Sequence, residues 1–282
     1  MFKLYDWIDE NKLEWQFLSV NPSAIHLLEN NLGKDVFGLC ENPSFHPTEH
    51  FDSIYWRYLS VNPSVIHLLE NNLGKDVKGR VKVDVFGLCE NPSFHPTEHF
   101  DSIYWRYLSK NPNAIHLLEK NLDKVCWNKL CQNPSPSILP LLEKNKDKIV
   151  WAPLSTNPNA MHLLEKNMDR INWRLLSENP SAMHLLEKYP EKIDWDHLSK
   201  NPSAIHLLEK NPDKILWSWL CVNPSAISLL EKNQDKIHWP WFSSNPSIFE
   251  YDYKNNVRPF TEELMQERFH PKNVDKFESW GF

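Results

Sequence analysis

The amino-acid sequence predicts an all-α fold: a right-handed α-solenoid of about ten two-short-helix repeats of ~22 residues, closed by a C-terminal helical cap. Three observations predict it. Tryptophans recur at a fixed spacing, Asn-Pro pairs recur in step with them, and the composition holds 6 Gly against 21 Pro and 13 Trp. Tight β-hairpins want glycine, whereas proline in register suits the first position of one short helix after another.

From Trp105 the tryptophans fall at 105, 127, 151, 173, 195, 217 and 239, in steps of 22 residues apart from one of 24 that carries an insertion near Ser135 and Pro136. The unit reads W-x-x-L-[SC]-x-N-P-[SN]-A-[IM]-H-L-L-E-K-N-x-D-K-I-x-W, clearest between Trp195 and Trp217. Upstream, Trp15 and Trp56 open units, and Val36 takes the Trp place in a shortened one. Residues 37–60 recur unchanged at 86–109, and the segment from Val20 recurs from Val61 with Ala24 replaced by Val65. The repeat therefore spans 1–245 with an irregular insertion at 78–85, and 246–282 forms a cap or tail in which Thr261 is expected to start a helix.

Within a unit the asparagine caps a helix and proline takes its first turn. After Pro202, the residues Ala204, Ile205, Leu207 and Leu208 share one helical face. Asn211-Pro212 ends that helix, and Asp213 is expected to cap a second one carrying Ile215, Trp217 and Leu220. One unit cannot bury a core of its own, so stability comes from stacking. At about 10 Å per helix diameter, ten units predict a rod or arc of order 100 Å.

Each slot becomes a ladder along the stack. Trp15, Trp56, Trp105, Trp127, Trp151, Trp173, Trp195, Trp217 and Trp239 are expected in the core. Asn21, Asn62, Asn111, Asn157, Asn179, Asn201, Asn223 and Asn245 are read as caps. His26, His67, His116, His162, His184 and His206 are expected half-buried on a helix. Glu165-Lys166, Glu187-Lys188, Asp147-Lys148 and Asp213-Lys214 read as a solvated surface. Cys40, Cys89, Cys131 and Cys221 share the slot of Ser19, Ser60 and Ser199, which wants a small, buried, semi-polar group; disulfides are not expected, and a reducing compartment fits.

The function classes narrow accordingly. A net charge of −6 gives no basic face for nucleic acid. No apolar run is long enough to span a membrane, and the start MFKLYDWIDE lacks a secretory pattern, so secretion is not expected. No nucleotide-binding, nucleophile-elbow or Cys-pair motif is present, and neither cofactor nor small-molecule substrate is expected. His46-Pro-Thr-Glu49-His50 and its copy at 95–99 match the H-x-x-E-H zinc signature. A third ligand and a cleft are not evident in such a unit, so a zinc-dependent hydrolase is the alternative and structural histidines the main reading. The expectation is a non-catalytic scaffold that binds other proteins.

The two positions after each Trp vary most and align as a ridge: Gln16, Phe17, Arg57, Tyr58, Arg106, Tyr107, Asn128, Lys129, Arg174, Asp196, His197, Trp219 and Trp241. Aromatics and arginine dominate binding hot spots, so this ridge is the candidate partner surface. The loop bearing Lys78, Arg80 and Lys82 is a second candidate.

The pattern N-P-x-A-I-x-L-L-E-K-N-x-D-K-I-x-W-x-x-L-S resembles a repeat family of giant, nucleocytoplasmic large DNA viruses over about Trp7 to Asn245, and the ending FHPKN…WGF is similar to tails of such proteins. It resembles more weakly the leucine-rich-variant repeats of bacteria. The first resemblance implies a viral origin, with the virion or host cytoplasm as location and capsid components or host factors as partners. It implies either a minor capsid-associated component or an adaptor engaging a host protein.

Overall fold

The computed structural model describes residues 2–29, 31, 35–47, 56–71, 83–96 and 104–252. It is an α-solenoid of short-helix repeats. A representative unit starts with a helix at Trp195–Lys200, turns through a 3-10 segment at Pro202–Ala204 and runs as an α-helix through Ile205–Lys210. A second 3-10 turn at Pro212–Lys214 and an extended Ile215 then lead into the next Trp helix, Trp217–Leu220. Asp213 therefore does not cap a short helix that carries Ile215, Trp217 and Leu220 together, contrary to the sequence reading. Its turn ends at extended Ile215, and the Trp helix begins afresh two residues on.

The asparagines do more than cap. Asn201 accepts the Ser203 N–H on its side-chain oxygen and donates its amide to Ser177 O and Asn179 O of the preceding unit, each at 3.0 Å. Capping thus uses one end of the side chain and stacking the other. The ladder contains three asparagines beyond the eight read from the regular repeat. Asn42, Asn91 and Asn133 make the same bonds to the units before them. At the insertion, Asn133 stays in the ladder while Ser135 caps the displaced 3-10 turn Pro136–Ile138. Among the described residues this makes eleven rungs, all of them buried.

The rod or arc expected from the repeat is overturned, because the ladder has no free end. Asn21 of the first unit donates to Ser243 O at 3.1 Å and Asn245 O at 2.8 Å in the last, repeating the bonds made inside the array. Glu14 N–H donates to Ser243 Oγ, as Leu216 N–H does to Ser199 Oγ. Strand β1 (Phe2–Leu4) pairs antiparallel with strand β2 (Phe249–Tyr251) across the same junction. Trp7 packs on Phe242, and His26 meets Phe249 edge-on. The solenoid closes into a ring.

Unequal spacing of the layers explains the curvature. Successive Trp helices such as Trp195–Lys200 and Trp217–Leu220, and successive Asn-Pro turns such as Pro180–Ala182 and Pro202–Ala204, pack directly on one another, and the buried Ser/Cys slot and ladder Asn lie on this side. The His-Leu-Leu helices stand farther apart and meet through long side chains, such as His162 Nε2 with Glu143 Oε1 at 3.0 Å and His184 Nε2 with Glu165 Oε1 at 2.7 Å. A stack tighter on one side must bend toward it. Eleven units sharing a full turn require about 33° each (360/11).

Inside this wall the second Leu of each Leu-Leu pair, the Leu or Phe that ends the first turn of each Trp helix and the apolar residue two places after Asn-Pro are buried, most of them fully. The tryptophans pack against that core more than they form it, which corrects the expectation. Trp56 and Trp105 are buried, but Trp15, Trp127, Trp151, Trp173, Trp195, Trp217 and Trp239 lie half-buried at its edge. Several are roofed by a cation from the turn that closes the same unit: Lys214 Nζ lies 4.5 Å from the Trp195 ring centre and Lys236 Nζ 4.4 Å from that of Trp217. Lys12 covers Trp239 in the same way, across the closure. The lysines of the Asp-Lys turns are thus more than a solvated face. The histidine slot is half-exposed to exposed and bridges units by hydrogen bonds to glutamate.

The Ser/Cys slot is fully buried, as its residue types require. Its hydroxyl or thiol accepts the N–H of the residue that leads into the next Trp helix, as Ser177 Oγ does from Asp194 and Cys221 Sγ from His238. Burial, helped by neighbouring carboxylates, pushes the Cys40 and Cys89 thiols up to about 12, and burial raises those of Cys131 and Cys221. All five cysteines are free, and only Cys126 is not buried. A thiol reagent at pH 8 should therefore label Cys126 rapidly and the other four only on unfolding. A second thiol reacting at a comparable rate would contradict this packing.

Candidate interaction surface

The ridge residues follow one helix after another, and the single-turn Trp helix decides which of them can reach a partner. The position after each Trp points to solvent: Gln16, Arg57, Arg106, Asn128, Arg174 and Asp196 are exposed or half-exposed. The next position leans back on the neighbouring unit, so Phe17, Tyr58, Tyr107, Lys129, Trp219 and Trp241 are half-buried and His197 is buried. Helix Trp239–Ser243 packs against helix Trp15–Leu18, so closure carries the ridge on from Trp241 to Phe17. Residues from opposite ends of the chain become neighbours on one surface.

Part of the ridge is engaged internally. Asp194 caps its helix by accepting the His197 N–H at 3.0 Å and meets the same residue's Nδ1 at 3.1 Å, while Arg174 Nε lies 3.8 Å from its other oxygen. Burial pushes the Asp194 carboxyl up, but the His197 N–H and ring together with Arg174 outweigh it and hold the group below its ordinary value. Trp219 closes the cluster edge-on against His197 at 4.9 Å, under Lys200 Nζ at 4.0 Å.

In the duplicated segment the ridge is aromatic and open. Phe37 packs on Tyr58 with ring centres 4.8 Å apart, and the second copy repeats this with Phe86 and Tyr107 at 4.9 Å. Val20, Phe37, Val61 and Phe86 are exposed to roughly two fifths of their surface, unusual for such side chains in one row. A cleft of about 530 Å³ opens beside the first pair, lined by Gln16, Val20, Asp35, Phe37, Gly38, Glu41 and Tyr58. Sequence reasoning missed Val20, Phe37, Val61 and Phe86. Phe37 and Phe86 follow a valine where other units have Trp, and Val20 and Val61 sit one helical turn past the ridge.

The helix Val36–Glu41 of the shortened unit fits because Gly38 has no side chain. A Cβ there would lie 2.6 Å from Asp35 Oδ2 and 2.8 Å from Ser19 Cβ, whereas at Gly87 the closest approach would be 3.1 Å. Gly38→Ala is expected to cost about 1–3 kcal/mol through overpacking. Gly87→Ala should cost less than about 1 kcal/mol, since alanine's helix preference offsets a milder contact. Thermal melts of the two variants check this; equal losses would contradict it.

The other candidates stand apart from this surface. Lys78, Arg80 and Lys82 lie outside the described residues. Of the two H-x-x-E-H motifs, His46 and His95 are described, each ring Nδ1 lying 3.1 Å from the carbonyl of Ser44 or Ser93. Their Glu and second His lie outside the described residues, and no group of three or more metal-ligating side chains gathers among the residues described. Elemental analysis of the purified protein for zinc tests the hydrolase alternative directly. No described helix is long and apolar enough to cross a membrane.

Comparison of the chain with family models, curated proteins and solved structures finds no match.

Proposed function

We propose that the chain is a non-catalytic protein–protein interaction scaffold whose ring holds the Trp-helix ridge rigid and presents it to a partner protein. The observation that carries this reading is the row of exposed apolar and aromatic side chains at Val20, Phe37, Val61 and Phe86, backed by Tyr58 and Tyr107. Aromatics held by a packed neighbour lose little freedom on binding, which is why such residues dominate interfaces. The outer His–Glu face is polar and half-exposed, and offers no comparable patch.

The test is differential capture. Proteins retained by the wild-type chain should be lost from a variant with Arg57, Tyr58, Arg106 and Tyr107 replaced by alanine, and kept by one altered at His162 and His184. Equal retention by both variants would sink the reading. The narrower proposal, a minor capsid-associated component of a giant-virus particle, draws support from the repeat's resemblance alone. Mass spectrometry of purified virions tests it, and capture of a host factor from infected cells would favour the adaptor instead.

A further inference from the structure

The two copies of the duplicated segment share a sequence but face different neighbours, and the difference is one of charge. In the first copy, Glu41 borders the cleft beside Phe37 and Tyr58, and among the described residues no cation pairs with it. Partial desolvation at the cleft edge and nearby Asp35 hold its carboxyl above the ordinary value, though the residue stays exposed. Asp35 itself is occupied, accepting from Ser19 Oγ at 2.8 Å and from the Gly38 N–H. In the second copy the equivalent Glu90 is paired with Lys110 Nζ at 3.8 Å. The register that puts Lys110 there puts Val61 beside the first copy, and where the first has Gln16 the second has Arg57.

We propose that the cleft bounded by Phe37, Tyr58 and Glu41 binds a cationic side chain, arginine above all, of the partner protein. This rests on the scaffold reading and names the chemistry its surface selects. A guanidinium can lie against the aromatic pair while its N–H groups reach the Glu41 carboxylate, a combination an ammonium satisfies less well. Val20 supplies apolar surface for the methylene stem. The second copy, with its carboxylate countered by Lys110 and Arg57 in the place of Gln16, is not expected to bind such a side chain.

The test uses the full chain, methyl-labelled for NMR, and a capped Gly-Arg-Gly peptide beside its citrulline counterpart, which keeps the shape without the charge. The arginine peptide should shift the Val20 methyl signals saturably and the citrulline peptide should not. Glu41→Gln, and separately Val61→Lys, should weaken binding at least fivefold, whereas Glu90→Gln should leave it unchanged. Glu41 is solvent-facing, and an unchanged spectrum of the free variant verifies its fold. Equal shifts from the two peptides, or equal losses from Glu41→Gln and Glu90→Gln, would overturn the proposal; the latter means only that the acidic chain attracts cations. A partner captured through the ridge but indifferent to Glu41→Gln would overturn it too, while leaving the scaffold reading intact.

Discussion

A chain with cysteines in place of Lys3 and Glu250, and Cys126 changed to serine, is expected to cross-link its own two ends on mild oxidation. It should then melt well above its reduced form. Lys3 and Glu250 are register partners in the β1–β2 pair, and their charged tips lie 3.1 Å apart. Opposed residues of an antiparallel pair sit about 4.5–5.5 Å apart at Cα, within the range a disulfide spans. The bond would close a loop of nearly the whole repeat. On chain-entropy grounds that is worth up to roughly 5 kcal/mol, less any strain. An open arc would keep the ends apart and yield intermolecular dimers or free thiols. Non-reducing electrophoresis separates these outcomes, and dimers alone would refute the ring.

The second large effect concerns the asparagine ladder. Asn201→Asp changes no shape, yet it replaces an amide donating to Ser177 O and Asn179 O with carboxylate oxygens aimed at those same carbonyls. The side chain is fully buried. Two carbonyls lose their donor and a charge is buried without a partner, so the expected loss exceeds about 3 kcal/mol at neutral pH. Burial raises the introduced carboxyl's pKa above its unfolded value. The destabilisation therefore grows as pH rises through the unfolded value, and part of it is recovered at lower pH, where the neutral acid can donate one bond. Asn201→Ala should be nearly as costly but without that pH dependence. Chemical denaturation of both at two pH values checks the pair; a loss under about 1 kcal/mol in either would show that stacking does not depend on these bonds.

Much of this was legible in the sequence. Asn-Pro fixes its own local structure, because proline bars the preceding residue from the helix and asparagine can cap the turn that proline opens. The 22-residue period, the Ser/Cys slot and the buried Leu pair come from such local rules. Even the three missed rungs carry an Asn-Pro pair: Asn42 and Asn91 follow a valine in the Trp place, and Asn133 keeps the Trp127 register just before the insertion. The ridge was legible as a row of variable positions, but not which members are open. His197 reads like Tyr58 in sequence, and only packing shows that Asp194 and Trp219 enclose it. Nor could a string of letters show that identical copies differ because Val61 stands where Lys110 stands.

The residues alone specify the unit: where Asn-Pro opens each short helix, which leucines it buries, and that it must be stacked to be stable. The ring comes from packing between units. Closure depends on the rotation between neighbours summed over eleven units, and that rotation comes from how closely two layers of side chains approach each other. A difference of a few degrees per unit, invisible in any one repeat, separates an arc from a circle in which Asn21 finds Asn245.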